Sequence, residues 1–498
     1  MDISGYLTFI PYAILLVAVA WSLFAEKLPW GDKGAAGIGA LLTFVAAALF
    51  VKSDMAQSLF GGKILFSSDA RFACAGMAIM TGIWLLWTAG RGQGRIREAV
   101  ALSILSLMGC CLMVSASDLI VMILGIELAT MPAYVLIGYR RNRINGLEGA
   151  IKYFLLSVLA SLLMIYGVTF IYGIAKSTSF AGLGVAHAGT LGLVALLLLF
   201  VGIFAKISAA PFHYWAPDAY EGAESWVVAF VSSVPKVAGI VLAVRLVSII
   251  TAASKGTALA STLGLIIMIV SVASMVLGSF AALTQGNTKR VMAYSGVVNA
   301  GYMLMPLVTI QASSVGSIAF YSVAYGLSGL GLLLIAASEG GKIADLAGLS
   351  KRRPAAAWAL AIFALSMIGV PPMAGFFGKF YMFTSTVQGG HPWLVVVATV
   401  ASIVSAFYYL RFVKAAFFDE APETIAVPEE QVALNEIEQA NAEAAAENIV
   451  TPIAPAENDD SRRTTLLASV ALVICTTLVV ALGPLSGFML EWILNPTW

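Results

Sequence analysis

The chain has 498 residues, of which 60% are hydrophobic and 11% are charged, and its mean hydropathy is +0.92. Soluble domains are about 25% charged, so this composition indicates an integral membrane protein. The net charge of +1 argues against nucleic-acid binding. Four cysteines lie in apolar runs without metal-ligand spacing, and three histidines are scattered, so no metal, haem or disulfide framework is expected. No nucleotide-binding glycine motif is present.

Fourteen segments are long and apolar enough to suggest membrane spans, which need roughly 20 residues each. The first lacks the basic region and cleavage site of a signal peptide, so we expect it to remain as a span. The segment 354–388 is too long for one straight helix. In chain order the predicted spans are 3–24, 35–51, 70–89, 97–115, 117–138, 149–174, 189–210, 225–250, 259–283, 290–309, 313–337, 354–388, 392–417 and 464–490.

Lysine and arginine residues are distributed unequally between alternate connections, and this bias sets the orientation of a membrane protein. The odd-numbered connections and their flanks hold 18 of the 28 basic residues, and the even-numbered ones hold five. We therefore expect the odd-numbered connections to face the cytoplasm and both termini to face the periplasm.

Residues 419–463 are acidic and of low complexity, and they carry 12 of the 27 acidic residues. This composition predicts a cytoplasmic linker. A tolerated solvated insertion is favoured over a docking segment for a partner.

Five basic residues remain inside predicted spans: Lys152, Lys206, Lys236, Arg245 and Lys379. An ionised group at mid-membrane costs at least ~2.5–3.5 kcal/mol, and such residues usually face a bundle interior or water. Arg245 is near the end of its span, so we expect it to extend towards the interface. The clearest buried acid is Glu127, and one acid cannot neutralise four buried bases. Proton or cation transfer is therefore favoured over static ion pairs.

Prolines accompany these charges at predicted helix breaks: Pro132, Pro211, Pro235, Pro371 and Pro372. A proline inside a membrane helix frees backbone groups that protein or water must satisfy, and charges beside broken helices mark ion pathways. The two broken spans, seventh and twelfth, are five apart, and an odd offset reverses direction. This spacing predicts two inverted five-helix repeats.

The predicted organisation is an all-α membrane fold with five parts. These are the N-terminal spans (1–96), a first repeat of spans 4–8 (97–250), a second repeat of spans 9–13 (259–417), the acidic linker (419–463) and a last span (464–498).

Three motifs carry a family resemblance: "KISAAPFHYWAPDAYEGA", "TKRVMAYSGVVNAGYML" and "GVPPMAGFFGKFYMF". They resemble the antiporter-like membrane subunits of respiratory complex I (NADH:quinone oxidoreductase), and the lysine of "GFFGKF" favours the N type, called subunit 2 in mitochondria. The resemblance implies a proton-conducting, multi-pass subunit of a bacterial inner membrane. It places NAD, FMN, iron–sulfur clusters and quinone in partner subunits, with no cofactor in this chain. The expected partners are lipid and other complex I membrane subunits, including further antiporter-like ones.

The resemblance also implies residue roles. Glu127 and Lys206 would form a switching pair, Lys236 would be the central carrier, and Lys379 would be the exit residue. Lys152 matches a further family lysine. His213 and Tyr294 would supply polar links, although for His213 the role of a histidine that caps a broken helix is equally supported.

The sequence departs from the family at Asn299, where many relatives have histidine, so that position receives no proton-carrying role. Several alternatives stay open. The nearest is a subunit of a multi-subunit sodium/proton antiporter or of a membrane-bound hydrogenase. Other classes are a solute transporter and a membrane scaffold that conducts nothing.

Overall fold

The computed structural model describes residues 9–25, 31–52, 58–91, 96–140, 144–420 and 466–494. These ranges are mainly α-helical, with one antiparallel hairpin of β1 (Ser58–Leu59) and β2 (Ile64–Leu65). The helices are α1 (Ile10–Phe24), α2 (Gly31–Lys52), α3 (Ser68–Arg91), α4 (Ile96–Ser115), α5 (Leu119–Ile137), α6 (Ile144–Ala175), α7 (Gly189–Lys206), α8 (Trp215–Gly222), α9 (Ser225–Val231), α10 (Val234–Ala253), α11 (Ala258–Leu283), α12 (Thr288–Leu304), α13 (Ala312–Ser338), α14 (Leu349–Arg352), α15 (Pro354–Ile368), α16 (Ala374–Gln388), α17 (Pro392–Phe417), α18 (Leu466–Ala481) and α19 (Ser486–Leu494). The predicted acidic linker lies outside the described residues from position 421 onward.

Ten helical segments in the described ranges are long and apolar enough to cross a membrane, and the bent pair α18–α19 makes an eleventh. The fold is therefore an all-helical integral membrane bundle. Each of the fourteen predicted spans contains at least one helix, but α1, α12 and α15 have only 15, 17 and 15 residues. The count of fourteen stays a prediction.

Basic and acidic side chains meet at one end of the bundle. Arg290 pairs with Glu221 at 2.6 Å and with Asp218 at 3.2 Å, and Arg140 lies 3.5 Å from Glu224. The connection after α13 reaches the same end, because the backbone N–H of Thr288 donates to the carbonyl of Gly341. These odd-numbered connections thus gather on one side, which we call the basic end.

The most deeply buried helical segments are α13 and α9–α10, and the second of these carries Lys236 and Arg245. The most apolar stretch of α13 is completely buried, and that of the α9–α10 segment is almost completely buried. Most of the corresponding stretches of α6 and α17 face outward. In the membrane these outward faces meet lipid or another subunit, so large exposed apolar side chains on them are expected.

Both predicted long breaks are present. Helix α7 ends at Lys206, and α8 begins at Trp215 after a non-helical turn that contains Pro211. The segment 354–388 forms α15 and α16, separated by a turn with Pro371 and Pro372. The two broken spans run in opposite directions, since α8 ends at the basic end and α15 begins there.

The predicted break at Pro132 is wrong, because α5 runs through it without interruption. The hydroxyl of Ser106 donates to the carbonyl of Ala129 at 2.7 Å, so a neighbouring helix satisfies a backbone group near the proline. At Pro235 the interruption is short: only Ser232 and Ser233 separate α9 from α10, and Pro235 lies in the first turn of α10.

The expectation that Arg245 extends to the interface is also wrong. Its side chain is buried, at 8% exposure, and its guanidinium donates to the carbonyl of Val114. Val114 is in the last turn of α4, where carbonyl groups lack helical partners and the helix dipole places a partial negative charge. Arg245 therefore caps α4 from inside the bundle.

Helices α4 and α5 approach closely because glycines face each other across their contact. A Cβ atom added at Gly109 would overlap the backbone nitrogen of Ala129, and one added at Gly125 would lie 2.6 Å from the backbone nitrogen of Met113. Small residues that let backbones touch are a common basis of helix association in membranes.

We predict that Gly109→Ala lowers the thermal stability of the purified assembly, because α4 and α5 must separate to admit the methyl group. Overpacking of this kind costs about 1–3 kcal/mol. The matched control is Gly173→Ala on α6, where an added Cβ meets nothing within 4 Å. Thermal melting of both variants in the same detergent checks this, and equal melting temperatures would contradict the packing role of Gly109.

Candidate functional site

The carboxylate of Glu127 reaches the inner face of α6. Glu127 is half-buried on α5, and its Oε1 accepts a hydrogen bond of 2.8 Å from Ser161 Oγ. One turn away on α6, Ser157 Oγ accepts a bond of 2.8 Å from Tyr134, which lies seven residues after Glu127 on α5. Residues four or seven apart share one helix face, so two short polar rows face each other across α5 and α6.

Lys206 joins this group from the end of α7. Its Nζ donates to Ser157 Oγ at 2.6 Å, and Ser157 thus receives hydrogen bonds from both Lys206 and Tyr134. No salt bridge in the described ranges joins Lys206 to Glu127. The structure places both members of the predicted pair against α6, where Glu127 binds Ser161 and Lys206 binds Ser157, one turn apart.

The backbone groups at the α7 break are satisfied by protein. Ser208 takes a left-handed conformation with φ of 59°, and the N–H of Ala209 donates to the carbonyl of Phe204 at 2.9 Å. The indole of Trp215 donates to the carbonyl of Ala205 at 2.8 Å. The N–H of Ala210 donates to Ser274 Oγ at 2.8 Å. The break is therefore a built turn that exposes Lys206 to α6, rather than a frayed helix end.

Lys236 has a different environment. It is 6% exposed, and its Nζ has no hydrogen-bond partner within the part of the chain that the structure describes. The Nζ lies 5.4 Å from the ring centroid of Tyr220, a distance at which the ring face attracts a cation. Lys236 is in the first turn of α10, and the positive end of the helix dipole is an unfavourable place for a cation.

A small cavity of about 10 Å³ adjoins Lys236, and Ser322 and Tyr325 are among the residues that line it. That volume suits about one water molecule. Gly296 on α12 makes this space, because a Cβ atom there would overlap Lys236 Nζ and lie 3.4 Å from Tyr325 Oη.

Lys379 is fully engaged by hydrogen bonds. Its Nζ donates to the carbonyl oxygens of Met367 (3.1 Å) and Ile368 (2.9 Å) and to Ser402 Oγ (2.9 Å). An ammonium group has three donors, and these three acceptors use all of them. Met367 and Ile368 are the last residues of α15, so Lys379 caps the half-helix across the break.

Polar side chains occupy the space between Lys236 and Lys379. Ser295 and Tyr409 are hydrogen-bonded, Tyr321 Oη donates to Asn299 Oδ1 at 2.5 Å, and Asn299 Nδ2 lies 3.4 Å from Ser295 Oγ. Tyr302 follows Asn299 by about one turn of α12, and its ring centroid is 5.0 Å from Lys379 Nζ. Hydroxyl groups can both donate and accept, so the two lysines are separated by groups able to relay a proton.

Lys152 lies apart from the buried lysines. Its side chain is 44% exposed and forms ion pairs with Glu148 at 2.7 Å and Asp218 at 3.0 Å. Its contacts thus join the outer surface of α6 to α8 at the basic end.

His213 is buried within the α7 break, and its Nδ1 has no hydrogen-bond partner in the described ranges. Its ring stacks on Tyr214 with centroids 4.6 Å apart, and the centroid of Tyr294 is 6.4 Å away. The two predicted polar links are therefore neighbours, but no hydrogen bond between them is seen in the described part of the chain.

Sequence reasoning missed the hydroxyl groups that connect the charges, namely Tyr134, Ser157, Ser161, Ser295, Tyr321, Ser402 and Tyr409. For Ser157 and Ser161 the signal was present, because a four-residue spacing puts both on one face of a membrane helix. Within the described residues no group of three His, Cys, Asp or Glu could hold a metal ion.

An all-helical membrane bundle with two oppositely directed broken spans, each with a lysine at the break, defines an antiporter-like membrane protein. Residues 116–405 match the family described as NADH:quinone oxidoreductase/Mrp antiporter, TM. The chain is 37% identical over 402 residues to NADH-quinone oxidoreductase subunit N of Rhodospirillum rubrum, covering 78% of this chain and 81% of the relative. It is 36% identical over 442 residues to the subunit of the same name from Parvibaculum lavamentivorans, covering 86% and 90%.

Solved structures show the same fold. A chain of respiratory complex I from Thermus thermophilus matches with a TM-score of 0.76 and 28% identity, covering 97% of this chain and 99% of that one. A chain of the Mrp complex from Dietzia sp. matches with a TM-score of 0.79 at 19% identity, covering 100% and 98%, which shows the fold alone. The chain belongs to the family of NADH-quinone oxidoreductase N subunits.

We predict that Gly296→Ala lowers coupled quinone reductase activity of the assembled complex by about tenfold or more, because the methyl group displaces the Lys236 amine and misplacement by about 1 Å can cost up to 100-fold. The fold should survive, since the displaced atom is the end of a flexible side chain. The matched control is Gly329→Ala on α13, whose added Cβ would meet only methionine methyl groups at 3.5 and 3.8 Å. If both variants keep full activity, Gly296 does not position Lys236.

Proposed function

We propose that this chain conducts protons as a membrane subunit of NADH:quinone oxidoreductase (complex I), with NADH oxidation and quinone reduction in partner subunits. Its partners are the other membrane subunits of that complex. The observation that carries the mechanism is the buried amine of Lys236, which has neither a carboxylate nor a hydrogen-bond partner in the described part of the chain. A permanently charged group in such a place is costly, because burial without pairing disfavours the charged form. A group that gains and loses a proton is consistent with it.

The proposed relay begins at Glu127 and Lys206. Their charges face α6 through Ser161 and Ser157, with no direct ion pair. The charge state of Glu127 then alters how strongly Lys206 holds its proton, because the opposite charge nearby stabilises the ammonium. If Glu127 is neutralised or turned away, Lys206 releases its proton more readily.

From Lys206 the relay continues to Lys236. Helix α10 packs directly on the α7 break, since a Cβ atom at Gly239 would lie 4.0 Å from Lys206 Cβ. The cavity beside Lys236 is also lined by Ile207, the residue after Lys206. A water molecule there would lie between Lys236 and Ile207, the neighbour of Lys206, on the path proposed for transfer between the two amines.

Beyond Lys236, the proposed relay passes through the hydroxyl groups of α12, α13 and α17 to Lys379. Three acceptors hold Lys379, and it lies on a surface groove lined by Phe376, Phe380 and Thr399. This groove supports an opening near Lys379. Lys152, on the surface of α6, serves in this proposal as a charged link at the basic end outside the buried path.

The proposal also includes fourteen spans with two inverted five-helix repeats, 97–250 and 259–417, in which the seventh and twelfth spans are broken. The opposite directions of the two broken spans support the inversion, and the clustering of basic connections at one end supports a cytoplasmic basic end with both termini in the periplasm. The alternative of a multi-subunit antiporter is compatible with the same fold, since a chain of the Mrp complex matches it. The 36–37% identity to N subunits over most of their length favours the complex I assignment.

We expect Lys236→Met and Glu127→Gln each to reduce proton pumping and coupled quinone reductase activity by about tenfold or more, because each removes a group that gives and takes protons. Both replacements keep the side-chain volume, so the complex should still assemble. Lys255→Met in the exposed loop after α10 is the matched lysine control. Proton uptake by reconstituted vesicles is the measurement, and normal pumping by well-assembled variants would favour the scaffold alternative.

We expect Ser157→Ala to slow pumping in the same assay by several-fold, because it removes the hydroxyl that accepts hydrogen bonds from both Lys206 and Tyr134. Thr169→Val is the control on the same helix, since the Thr169 hydroxyl is exposed and donates only to the carbonyl of Ile165 at 3.0 Å. Equal pumping rates for both variants would show that the Ser157 hydroxyl plays no part in proton transfer.

A further inference from the structure

An apolar groove lies between α15 and α18, and none of the lysines described above lines it. Its volume is about 450 Å³, within the range of about 300–1,000 Å³ typical of ligand sites. Its walls include Trp358 and Ile362 of α15 and Leu472 and Val473 of α18. Trp358 is 63% exposed, so the groove opens on the outer surface of the bundle. A space of this volume with mainly apolar walls suits a hydrocarbon chain.

The groove is basic at the end where α15 begins. Arg353, which lines the groove, donates to Glu339 Oε1 at 2.7 Å, and Arg352 donates to Glu339 Oε2 at 3.1 Å. Two guanidinium groups therefore share one buried carboxylate, and one positive charge is left over. Lys351 precedes them with an exposed side chain. Arg353 immediately precedes the first helical residue of α15, so this charge lies where the span begins.

We propose that the groove binds one anionic phospholipid, with an acyl chain along α15 and α18 and the phosphate group beside Arg353 and Arg352. The charge complementarity decides between possible occupants. An apolar helix of a partner would leave the excess positive charge unpaired, and a zwitterionic lipid carries no net charge to neutralise it. Basic pockets between membrane helices at the membrane surface bind anionic head groups, and an arginine fork matches a phosphate with two parallel hydrogen bonds.

An aromatic side chain at the groove mouth supports a lipid ligand. Trp358 lies five residues after Arg353, about 7.5 Å along the helix, and its ring contacts Phe417 of α17 edge-on, with centroids 5.1 Å apart. Tryptophan prefers the boundary between the head groups and the acyl chains. The order along α15 is thus charge, interfacial aromatic and apolar wall, which is the order of groups in a phospholipid.

The test uses the intact complex reconstituted with trace photoreactive lipids that carry the same diazirine acyl chain on phosphatidylglycerol or on phosphatidylcholine. Cross-linked residues are mapped by mass spectrometry. We expect the phosphatidylglycerol probe to label α15 and α18 several-fold more than the phosphatidylcholine probe. Ala355→Phe, which fills the groove from an exposed position, and Arg353→Gln, which leaves Glu339 paired with Arg352, should each abolish this preference.

The control is Val396→Phe on α17, which adds the same bulk on an outward face where Val396 is 63% exposed, and it should leave the preference unchanged. Equal labelling by both probes would mean bulk lipid and would overturn the proposal. So would labelling that persists in both groove variants. Absence of label in the groove, while other lipid-facing helices are labelled, would mean that a partner protein covers it. If Ala355→Phe prevents assembly, Arg353→Gln alone decides.

Discussion

A helix that is broken inside a membrane must have every freed backbone group satisfied by protein or water. At the second break the last four carbonyls of α15 are all accounted for. Backbone N–H groups of Gly369 and Val370 take those of Leu365 and Ser366, while Lys379 and Ser402 take those of Met367 and Ile368. A buried lysine and a broken helix are each costly alone. Here the lysine gains hydrogen-bond acceptors, and the carbonyl groups freed by the break gain a donor.

The three lysines of the proposed relay differ in where they lie relative to the helix dipoles. Lys206 is the last residue of α7, and Lys379 caps the end of α15, so both lie at negative helix ends that stabilise an ammonium group. Lys236 lies at the positive start of α10 and has no hydrogen-bond partner in the described ranges. Two lysines at stabilising helix ends thus flank one at an unfavourable helix end. In the proposed relay the central lysine is a transient carrier, because a proton there gains least from its surroundings.

The sequence was sufficient to predict the two broken spans, where Pro211 and the pair Pro371 and Pro372 lie in non-helical turns. A charge close to a proline was not a sufficient signal by itself, because α5 contains Glu127 and Pro132 in one continuous helix. The sequence also singled out Glu127, Lys206, Lys236 and Lys379 as ionisable groups within the bundle, because such residues stand out against a background of leucine and valine. It failed at Pro132 and Arg245, where neighbouring helices supply a hydroxyl and receive a guanidinium, and at Lys152, whose outward orientation depends on the rotation of α6. Such details depend on tertiary contacts, and serine and tyrosine are too common in membrane helices for composition to single out those that join the charges.

Glu127 and Lys206 bind separate serines of α6, and this arrangement bears on the switching role proposed for the pair. A direct buried ion pair is held by strong attraction in a low-dielectric interior, and removing one partner leaves a charge that is costly to bury. Each charge here has its own hydrogen-bonding partner on α6, Ser161 for Glu127 and Ser157 for Lys206. In the proposed relay these hydroxyls offset part of the cost of separating the two charges. A pair built in this way can change its protonation state without disturbing the packing of α5, α6 and α7.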